Sequence, residues 1–372
     1  MANLLLSAGL MFTMLSGQAL AGPKVVSGPG ALPSCFAPWA KDTTFLQWEK
    51  RKGPYKIAVV NGFVGNSWRI QMVQTVKAYV EQPEIKAQIS EFKVVSTGTD
   101  VAAQLGAIED FINQGYDAII TIAVSPAGFD RVIRIADRNN VILVPFDNIL
   151  DTTDVMMVNE NQWQMGEMAA EHLIKYAGKS GKVLEIRGLA GNTVDRDRHL
   201  GFRSIMEAAG NDFDIVEVVG NWDDGQAQKV AADALAIHGK FMGMYVQGGS
   251  TGAVRAFMDA GHDFVPVAGE AENGFRKLIA KHAKDGLIGL SMGQTPGLGA
   301  ISVKAALSAL AGNKMPQLIA IPIPFVDHTT LKDGVNYWAD LDDNFFTANE
   351  FPACDVNISA VDIMAQTKED SH

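Results

Sequence analysis

The sequence predicts an α/β protein made of two doubly wound, parallel-sheet lobes. Three observations support this fold class. Short apolar strands alternate with amphipathic helices from Tyr55 onward, the alternation starts again near Lys182, and 372 residues provide enough chain for two domains. Because a single doubly wound sheet seldom takes that many strands, two lobes of similar build account for the pattern.

The first half of the alternation contains five predicted strands, covering residues 56–62, 92–96, 118–123, 141–147 and 155–159. Helices are expected to begin between them near Ser67, Asp100 and Ala127, where apolar residues recur with helical spacing. Strands that are apolar along their whole length and are separated by helices indicate a parallel sheet covered on both faces.

The second half repeats this pattern. Its predicted strands cover residues 182–188, 215–220, 241–247 and 264–270, and its helices begin near Gln164, Val194, Gly225, Thr251 and Asn273. Two further strands, 287–292 and 321–327, flank a predicted helix over 296–310 and could return the chain between the lobes. Residues 22–54 and 337–372 show no clear period and are interpreted as wrapping loops.

The N-terminal segment predicts export. Residues 4–15 (LLLSAGLMFTML) have the length of a signal-peptide apolar region, and Ala19-Leu20-Ala21 follows as a small-x-small cleavage site. We therefore expect a signal peptide over 1–21, cut after Ala21, and a periplasmic protein, although residues 1–3 lack the usual Lys or Arg. A lipid anchor on Cys35 is disfavoured, because Cys35 lies well beyond the apolar run.

The net charge and the two cysteines give further information about the partners and the covalent structure of the protein. The chain has 31 Lys and Arg against 42 Asp and Glu, a net charge of −11, which argues against a nucleic-acid partner. In an oxidising compartment the two cysteines, Cys35 and Cys354, are expected to form a disulfide that joins the N-terminal extension to the C-terminal tail. No segment beyond the N-terminal one is apolar enough to suggest a membrane span.

Most enzyme signatures are not matched. Gly178-Lys179-Ser180 imitates the end of a phosphate-binding loop, but Leu173 stands where that loop needs a glycine. The first strand is not followed by GxGxxG, and the histidines show no zinc spacing, so we expect no cofactor and no metal.

One catalytic motif is present. Residues 248–252 (GGSTG) match GxSxG between a strand and a helix, so Ser250 could be a serine hydrolase nucleophile with His328 or His282 as its base. The alternative is a glycine-rich turn at a helix start, which produces the same string without catalysis.

Polar and aromatic residues lie at the predicted strand ends of both halves. They are Asn66, Trp68, Asp147, Asn159, Glu160, Arg196, Trp222, Gln247 and Glu270. Open α/β sheets bind ligands beyond the carboxyl ends of their strands, and this mixture of indoles, carboxylates, amides and a guanidinium suits a small polyhydroxylated ligand. Individually these residues also have structural interpretations: Trp68 and Trp222 as core aromatics, Asp147 as a cap, and Arg196 as an ion-pair partner of Asp195 or Asp197 on a solvated helix face.

Several segments between Tyr55 and Phe325 resemble the sugar-binding, type I periplasmic binding proteins of ABC transporters, the ribose-binding group in particular. Residues 191–202 (GNTVDRDRHLGF) are similar to the family's G-x-x-x-x-R-x-R-x-x-G-F segment, and residues 144–147 (VPFD) to its V-P-V-x-x-D strand. Two further segments resemble those of the family, residues 221–223 and 293–296. The spacing between Asn161 and Gly166 is also similar to the family's.

The resemblance implies two lobes joined by a three-strand hinge and closing on a ligand. The lobes would be 55–158 with 295–324 and 159–294 with 325–353, between an extension (22–54) and a tail (354–372). Ligand-binding residues carried over from the family are Asn66, Trp68, Asp147, Glu160, Arg196, Trp222, Glu270 and Gln294, with Arg69, Asn148, Asn159 and Gln247 as possible additions. Arg69, Asn148 and Gly248-Gly249 depart from the family pattern and argue against ribose itself.

The expected function is capture of a monosaccharide or related polyol, without catalysis, for a membrane permease and its ATPase. The expected oligomeric state is a monomer. A serine hydrolase and a periplasmic signalling or chemotaxis sugar receptor are the alternatives. A repressor of the same two-lobe build would need a helix-turn-helix at its N-terminus, where this chain has an apolar signal.

Overall fold

The computed structural model describes residues 22–210 and 212–370 and contains the predicted two lobes of parallel sheet with helices on both faces. The predicted signal peptide, residues 1–21, lies outside the described residues. None of the helices in the described part of the chain has the length and apolar character that a membrane span needs.

The strands of the described residues, in chain order, are β1 Lys24–Val26, β2 Ala37–Pro38, β3 Phe45–Gln47, β4 Tyr55–Asn61, β5 Ile89–Ser96, β6 Ala118–Ile122, β7 Ile142–Pro145, β8 Met157–Glu160, β9 Ser180–Arg187, β10 Asp212–Val219, β11 Gly243–Val246, β12 Val267–Gly269, β13 Gly289–Met292, β14 Lys314–Pro316, β15 Leu318–Ile321, β16 Phe325–Asp327, β17 Glu350–Phe351 and β18 Val356–Asn357.

The α-helices of the same residues are α1 Ser67–Val80, α2 Pro83–Lys86, α3 Val101–Asn113, α4 Phe129–Arg138, α5 Gln162–Tyr176, α6 Thr193–Ala208, α7 Asp224–His238, α8 Ser250–Asp259, α9 Asn273–His282, α10 Leu298–Leu310 and α11 Ala360–Met364. Short 3-10 turns occur at Ala283–Asp285 and Pro352–Cys354.

The two lobes share one strand order. In the first lobe the parallel sheet runs β5-β4-β6-β7, and a single bridge between Phe146 and Val158 adds β8 at its edge. In the second lobe the sheet runs β10-β9-β11-β12-β13, with β16 added antiparallel. Both orders read 2-1-3-4-5, which places a switch point between the first and third strands of each lobe, where open α/β sheets bind ligands.

A small hinge sheet joins the lobes. β8 and β15 pair in parallel, and β2 from the N-terminal extension pairs antiparallel with β15. The predicted strand over 321–327 is therefore two strands, because the chain leaves β15 in the hinge and enters β16 in the second lobe.

The terminal segments are more ordered than the predicted wrapping loops. β1 and β14 both pair with β3, and Leu46 and Trp48 are buried in the core of the first lobe. The predicted disulfide is present, joining Cys35 to Cys354 across 319 residues of sequence. Both ends of the described chain are therefore attached to the first lobe.

The C-terminal segment crosses between the lobes once more than the predicted hinge requires. The backbone of Asn336 accepts a hydrogen bond from the second-lobe helix α9, and the backbone of Trp338 both accepts from and donates to it. Phe351 and Ile363, by contrast, pack in the first lobe's core. The predicted second lobe extends to residue 353, but the chain has returned to the first lobe by Phe351. This return was not predicted, because residues 337–372 carry no periodic pattern.

Candidate ligand-binding cleft

The carboxyl ends of the strands in the two lobes face a shared cleft of about 510 Å³. Of the residues predicted from sequence, the cleft is lined by Asn66, Trp68, Arg69, Asp147, Asn148, Trp222, Glu270 and Gln294. The strand-end argument therefore brought together side chains that are up to 204 residues apart, from position 66 to position 270, and the family resemblance added Gln294.

The first lobe contributes the start of α1. The side chain of Asn66 caps this helix by accepting a hydrogen bond from the backbone N–H of Arg69 at 2.9 Å, so Asn66 has a structural role at the cleft. Trp68 is buried, and its Nε1 donates to the backbone oxygen of Gln294 at 3.0 Å. Arg69 donates from Nη1 to Asn61 Oδ1 at 2.9 Å, and burial lowers its pKa to about 10, which leaves it charged at neutral pH.

Asp147 follows β7 in a left-handed backbone conformation, with φ of 61°. Its Oδ1 accepts from Gln294 Nε2, and its pKa is raised by burial, against the opposing effect of Arg69 and Arg198. The neighbouring Asn148 donates to the backbone oxygen of Ala123 at 2.8 Å. The Oδ1 atom of Asn148 also lies 3.4 Å from Nδ2 of Asn192, a contact between the two lobes across the cleft.

Trp222 forms the opposite wall, in a turn where both Asn221 and Trp222 have φ of 56°. Its indole lies against Gly188, where an added Cβ would be 2.2 Å from the ring, so a glycine is required for this approach. The Nε1 atom of Trp222 is buried without a partner among the described residues. This atom belongs to the edge of the ring that contacts Gly188, so the indole offers the cleft apolar surface.

Arg198 is the centre of the buried polar groups in the second lobe. It donates to Gln162 Oε1 at 2.7 Å, the backbone oxygen of Gln247 at 2.7 Å, Glu270 Oε1 at 2.6 Å and Gln294 Oε1 at 2.8 Å. Its side chain is 1% exposed, and it joins strand ends of the second lobe to the crossover at Gln294.

The prediction of Arg196 as the cleft arginine is wrong in position. Arg196 is 60% exposed and pairs with Asp197 at 2.7 Å, the structural interpretation that the sequence left open. Residues two apart on a helix point to nearly opposite sides, and Arg198 shares the buried side with Val194 and Phe202, four residues before and after it. The apolar residues Val194 and Phe202, four residues to either side of Arg198, were the sequence signal that would have selected it.

The close contact between α5 and α6 holds Arg198 in place. A Cβ at Gly166 would lie 2.1 Å from the backbone oxygen of Arg198, and one at Gly201 would lie 2.1 Å from the backbone oxygen of Trp163. These two glycines, part of the segments that resemble the family, therefore let the helices touch along their backbones. The contact fixes the side of α6 that faces the cleft.

Three predicted residues lie behind the cleft wall rather than on it. Asn159 Oδ1 accepts from Gln162 Nε2 at 3.0 Å, and Gln247 Nε2 donates to the backbone oxygen of Asp195 at 3.2 Å. Glu160 is fully buried, with Oε1 unpartnered among the described residues and Oε2 3.3 Å from the N–H of Thr295. Burial raises the pKa of Glu160 to about 8, so its carboxyl is mostly protonated at neutral pH.

Two glutamates after β12 have different surroundings. Burial raises the pKa of Glu270, while Arg198 opposes that shift. Glu272 accepts hydrogen bonds from the backbone N–H groups of Gly249, Ser250 and Thr251, at 2.7, 3.1 and 3.0 Å, at the N-terminus of α8. Glu272 was not predicted, although an acidic residue just beyond a strand end was the available signal.

The GGSTG motif forms this helix start. The hydroxyl of Ser250 is fully buried and accepts from the backbone N–H of Glu270 at 3.1 Å. Both proposed bases contact other groups: His282 Nδ1 lies 3.0 Å from Asp285, and the ring of His328 packs edge-on against Tyr176. Among the described residues the motif is therefore a glycine-rich turn, and nothing supports the serine hydrolase alternative.

Among the further cleft residues that escaped prediction are Phe63, Asn192, Asp224, Asn344 and Phe346. The first three lie in loops or helix starts directly after strands, the position that selected the other candidates. Asn344 and Phe346 belong to the C-terminal segment, which has neither a strand end nor a periodic pattern to mark it.

Two lobes of this strand order, a hinge sheet between them and a polar cleft at their facing strand ends define a two-lobed ligand-binding protein. Comparison with known sequences agrees: residues 57–314 match the family described as periplasmic binding protein domain, and the chain belongs to that family. The predicted family resemblance is thereby confirmed.

Two curated relatives illustrate the match. The chain is 25% identical over 250 residues to the ribose import binding protein of Bacillus subtilis, covering 65% of this chain and 79% of the relative. It is 26% identical over 275 residues to the D-ribose/D-allose-binding protein of Pseudomonas aeruginosa, covering 69% and 82%.

Solved structures show the same fold. A periplasmic solute-binding protein of Actinobacillus succinogenes with bound D-allose matches with a TM-score of 0.64 at 20% identity, covering 74% of this chain and 98% of that one. A solute-binding protein of Mycobacterium smegmatis with bound glycerol matches with a TM-score of 0.65 at 22% identity, covering 75% and 96%.

Proposed function

We propose that this protein is the exported solute-binding subunit of an ABC importer, which holds a neutral monosaccharide or polyol between its lobes and delivers it to a membrane permease. The observation that carries the proposal is the cleft itself. Indoles from both lobes face a space lined by carboxyl, amide and guanidinium groups, the combination that binds apolar sugar faces and hydroxyls together.

The charges of the cleft favour a ligand without a carboxylate. Arg69 and Arg198 are the arginines that line it, against the carboxyl groups of Asp147, Asp224, Glu270 and Glu272. Burial raises the pKa of Glu272 to about 8, so this carboxyl is mostly protonated at neutral pH, and Arg198 is bonded to Glu270. Arg69 is then the cation left against Asp147 and Asp224, so an anionic ligand would meet more acidic groups than free cations. Hydroxyl groups can both donate to these carboxyl oxygens and accept from Arg69, so a neutral polyol meets no such cost.

The known relatives support the ligand class. The curated relatives described above are named for ribose and allose, and others are a xylitol-binding protein of Mycolicibacterium smegmatis and a galactofuranose-binding protein of Escherichia coli. These ligands share several adjacent hydroxyl groups and carry no charge. Delivery to a permease and its ATPase, a periplasmic location and removal of residues 1–21 belong to the same proposal.

Isothermal titration of the protein purified from the periplasm tests the proposal. The panel contains D-ribose, D-allose, xylitol, erythritol and glycerol, with D-gluconate as the anionic comparison. We expect micromolar or tighter binding of at least one neutral member and none of D-gluconate. Tighter binding of D-gluconate than of every neutral member would contradict the proposed ligand class.

A pair of variants tests the site assignment. Trp222→Ala removes the indole that faces the cleft and should weaken binding by roughly 10-fold, the effect of losing one aromatic contact. Trp163→Ala is the matched control, because Trp163 is 40% exposed and donates to Glu167 on the surface of α5. Equal affinities of the two variants would show that the ligand binds elsewhere.

A further inference from the structure

The C-terminal segment at residues 343–347, here called the cross-lobe segment, lies at one end of the cleft. It is outside residues 57–314, the part of the chain that matches the family. Asn344 and Phe346 of this segment are nevertheless among the residues that line the cleft. A wall of the cleft is thus built from sequence that the family match does not cover.

Backbone hydrogen bonds fix the cross-lobe segment to the second lobe. The backbone oxygens of Asp343 and Phe345 accept from the N–H groups of Gly274 and Asn273, at 2.9 and 2.7 Å. The N–H of Thr347 donates to the backbone oxygen of Ala271 at 2.9 Å. These bonds attach the segment to the residues that directly follow Glu270, so its position at the cleft is set by the strand end that carries that glutamate.

A second set of bonds attaches the same segment to the first lobe. The side-chain amide of Gln71 accepts from the N–H of Phe346 and donates to its backbone oxygen, both at 2.8 Å. Gln71 is buried on α1, three residues after Trp68, on the same side of the helix. The backbone of Phe346 is therefore bonded to the side of α1 that also carries Trp68, while its neighbours are bonded to the second lobe.

The two side chains offer the contacts that a sugar or polyol needs. Asn344 is exposed, and the structure shows no hydrogen bond from its side-chain amide to any described residue, so the amide is available to ligand hydroxyls. Phe346 is 5% exposed and lines the same cleft as Trp68, to which it offers an aromatic ring. The amide of Asn344 can bind the hydroxyl groups of a ligand, and the ring of Phe346 can contact its apolar face.

We propose that Asn344 and Phe346 are ligand-contacting, specificity-determining residues, so that the C-terminal cross-lobe segment completes the sugar or polyol site at one end and limits the ligands that fit it. This inference rests on the proposed function. It adds residues outside the matched domain to the binding site, and it gives the unpredicted return of the chain to the first lobe a role in ligand selection.

Adjacent phenylalanines provide a matched test. Phe345 is buried like Phe346 but packs edge-on against Trp338, with ring centroids 5.9 Å apart, and does not line the cleft. We compare Phe346→Leu with Phe345→Leu, and add Asn344→Ala, an exposed position at which folding should be unaffected. Each variant is titrated with D-ribose, D-allose, xylitol, erythritol and glycerol, and its thermal unfolding is recorded.

The expected result is a roughly 3- to 10-fold weaker affinity for Phe346→Leu and for Asn344→Ala, the effect of one aromatic contact or one hydrogen bond. Phe345→Leu should bind within about 2-fold of the unmodified protein even if it unfolds at a lower temperature. The ranking of the panel should change for Phe346→Leu, with larger members gaining relative to smaller ones.

Three outcomes separate the possibilities. If Phe346→Leu and Asn344→Ala both bind the panel as the unmodified protein does, the inference is wrong and the proposed function stands. If Phe345→Leu weakens binding as much as Phe346→Leu, and Asn344→Ala has no effect, the segment acts through packing alone and the inference is also wrong. If the unmodified protein binds no member, both proposals fail together.

Discussion

The two lobes share a strand order, yet they hold their cleft arginines in opposite ways. Arg198 of the second lobe donates four hydrogen bonds to protein oxygens, including one to the carboxylate of Glu270. The side chain of Arg69 in the first lobe donates one hydrogen bond among the described residues, to Asn61. Since a guanidinium has five N–H donors, Arg69 retains donors for a ligand, whereas Arg198 is committed to the protein.

The comparison extends to the way each lobe is stabilised. The first lobe carries the Cys35–Cys354 disulfide, with both cysteines in its core. The second lobe, besides its apolar cores, carries ion pairs around its first two strands, where Arg203 contacts the fully buried Glu185 and Arg187 pairs with Asp195. The free energy of unfolding should therefore depend on the disulfide in the first lobe and on buried charged groups in the second.

The largest expected effect is the loss of Arg198. Arg198→Met leaves the carboxyl of Glu270 buried without its cation and should lower the free energy of unfolding by about 3–5 kcal/mol. The matched control is Arg196→Met, because Arg196 is 60% exposed and should change the free energy of unfolding by less than about 0.5 kcal/mol. Urea unfolding measures both, and a difference of less than about 1 kcal/mol between them would refute the role assigned to Arg198.

Removal of the disulfide is the next largest effect, and it tests the first lobe. Replacing both Cys35 and Cys354 with Ser should lower the free energy of unfolding by about 2–4 kcal/mol, since the bond closes a loop of 319 residues. Urea unfolding with and without a thiol reductant supplies the control. The reductant should destabilise the unmodified protein to the level of the variant and leave the variant unchanged; an unmodified protein indifferent to reductant would contradict the prediction.

Substitution of Arg69 should affect ligand affinity more than the free energy of unfolding. Arg69→Met should weaken the affinity for the neutral ligand by roughly 10- to 100-fold, as expected when hydrogen bonds from a charged donor are lost. Its effect on the free energy of unfolding should be smaller than that of Arg198→Met, because Arg69 makes one hydrogen bond to the protein. Titration and urea unfolding are compared with Arg134→Met, an exposed position on α4. An unchanged affinity would place the ligand's cation contact elsewhere.

Much of the fold and part of the site could be predicted from the sequence. Apolar strands and the rule for their carboxyl ends located Asp147, Trp222 and Glu270, because regular alternation is visible in one dimension and strand ends converge in space. The sequence placed an arginine of α6 in the cleft but selected Arg196 instead of Arg198. The correct choice requires knowing which side of α6 is buried. Val194 and Phe202, four residues to either side of Arg198, mark that side.

The cross-lobe segment was beyond this kind of prediction for a physical reason. Phe346 is positioned by hydrogen bonds from its backbone to the side chain of Gln71, 275 residues earlier, and by backbone bonds of its neighbours to Asn273 and Gly274. Backbone groups are the same in every residue, so pairing of this kind leaves no pattern in the side chains. The segment is also irregular, and irregular segments have no period to detect.

The smallest expected effect concerns Glu160, at the crossover between the lobes. Its pKa of about 8 in the folded protein exceeds the ordinary value of 4.5, so between these values the folded state retains a proton that the unfolded chain has released. Stability from this proton is complete at low pH and is lost as the pH rises toward 8. Glu160→Gln keeps a neutral side chain at every pH and should reduce the loss of stability between pH 5.5 and 7.0 by about 2 kcal/mol.

Urea unfolding at the two pH values measures this loss, with Glu207→Gln, an exposed position near the end of α6, as the control that should retain it. An equal loss in Glu160→Gln and Glu207→Gln would mean that Glu160 is ionised in the folded protein. The charge of Arg198 would then have to stabilise the carboxylate of Glu160 as well as that of Glu270.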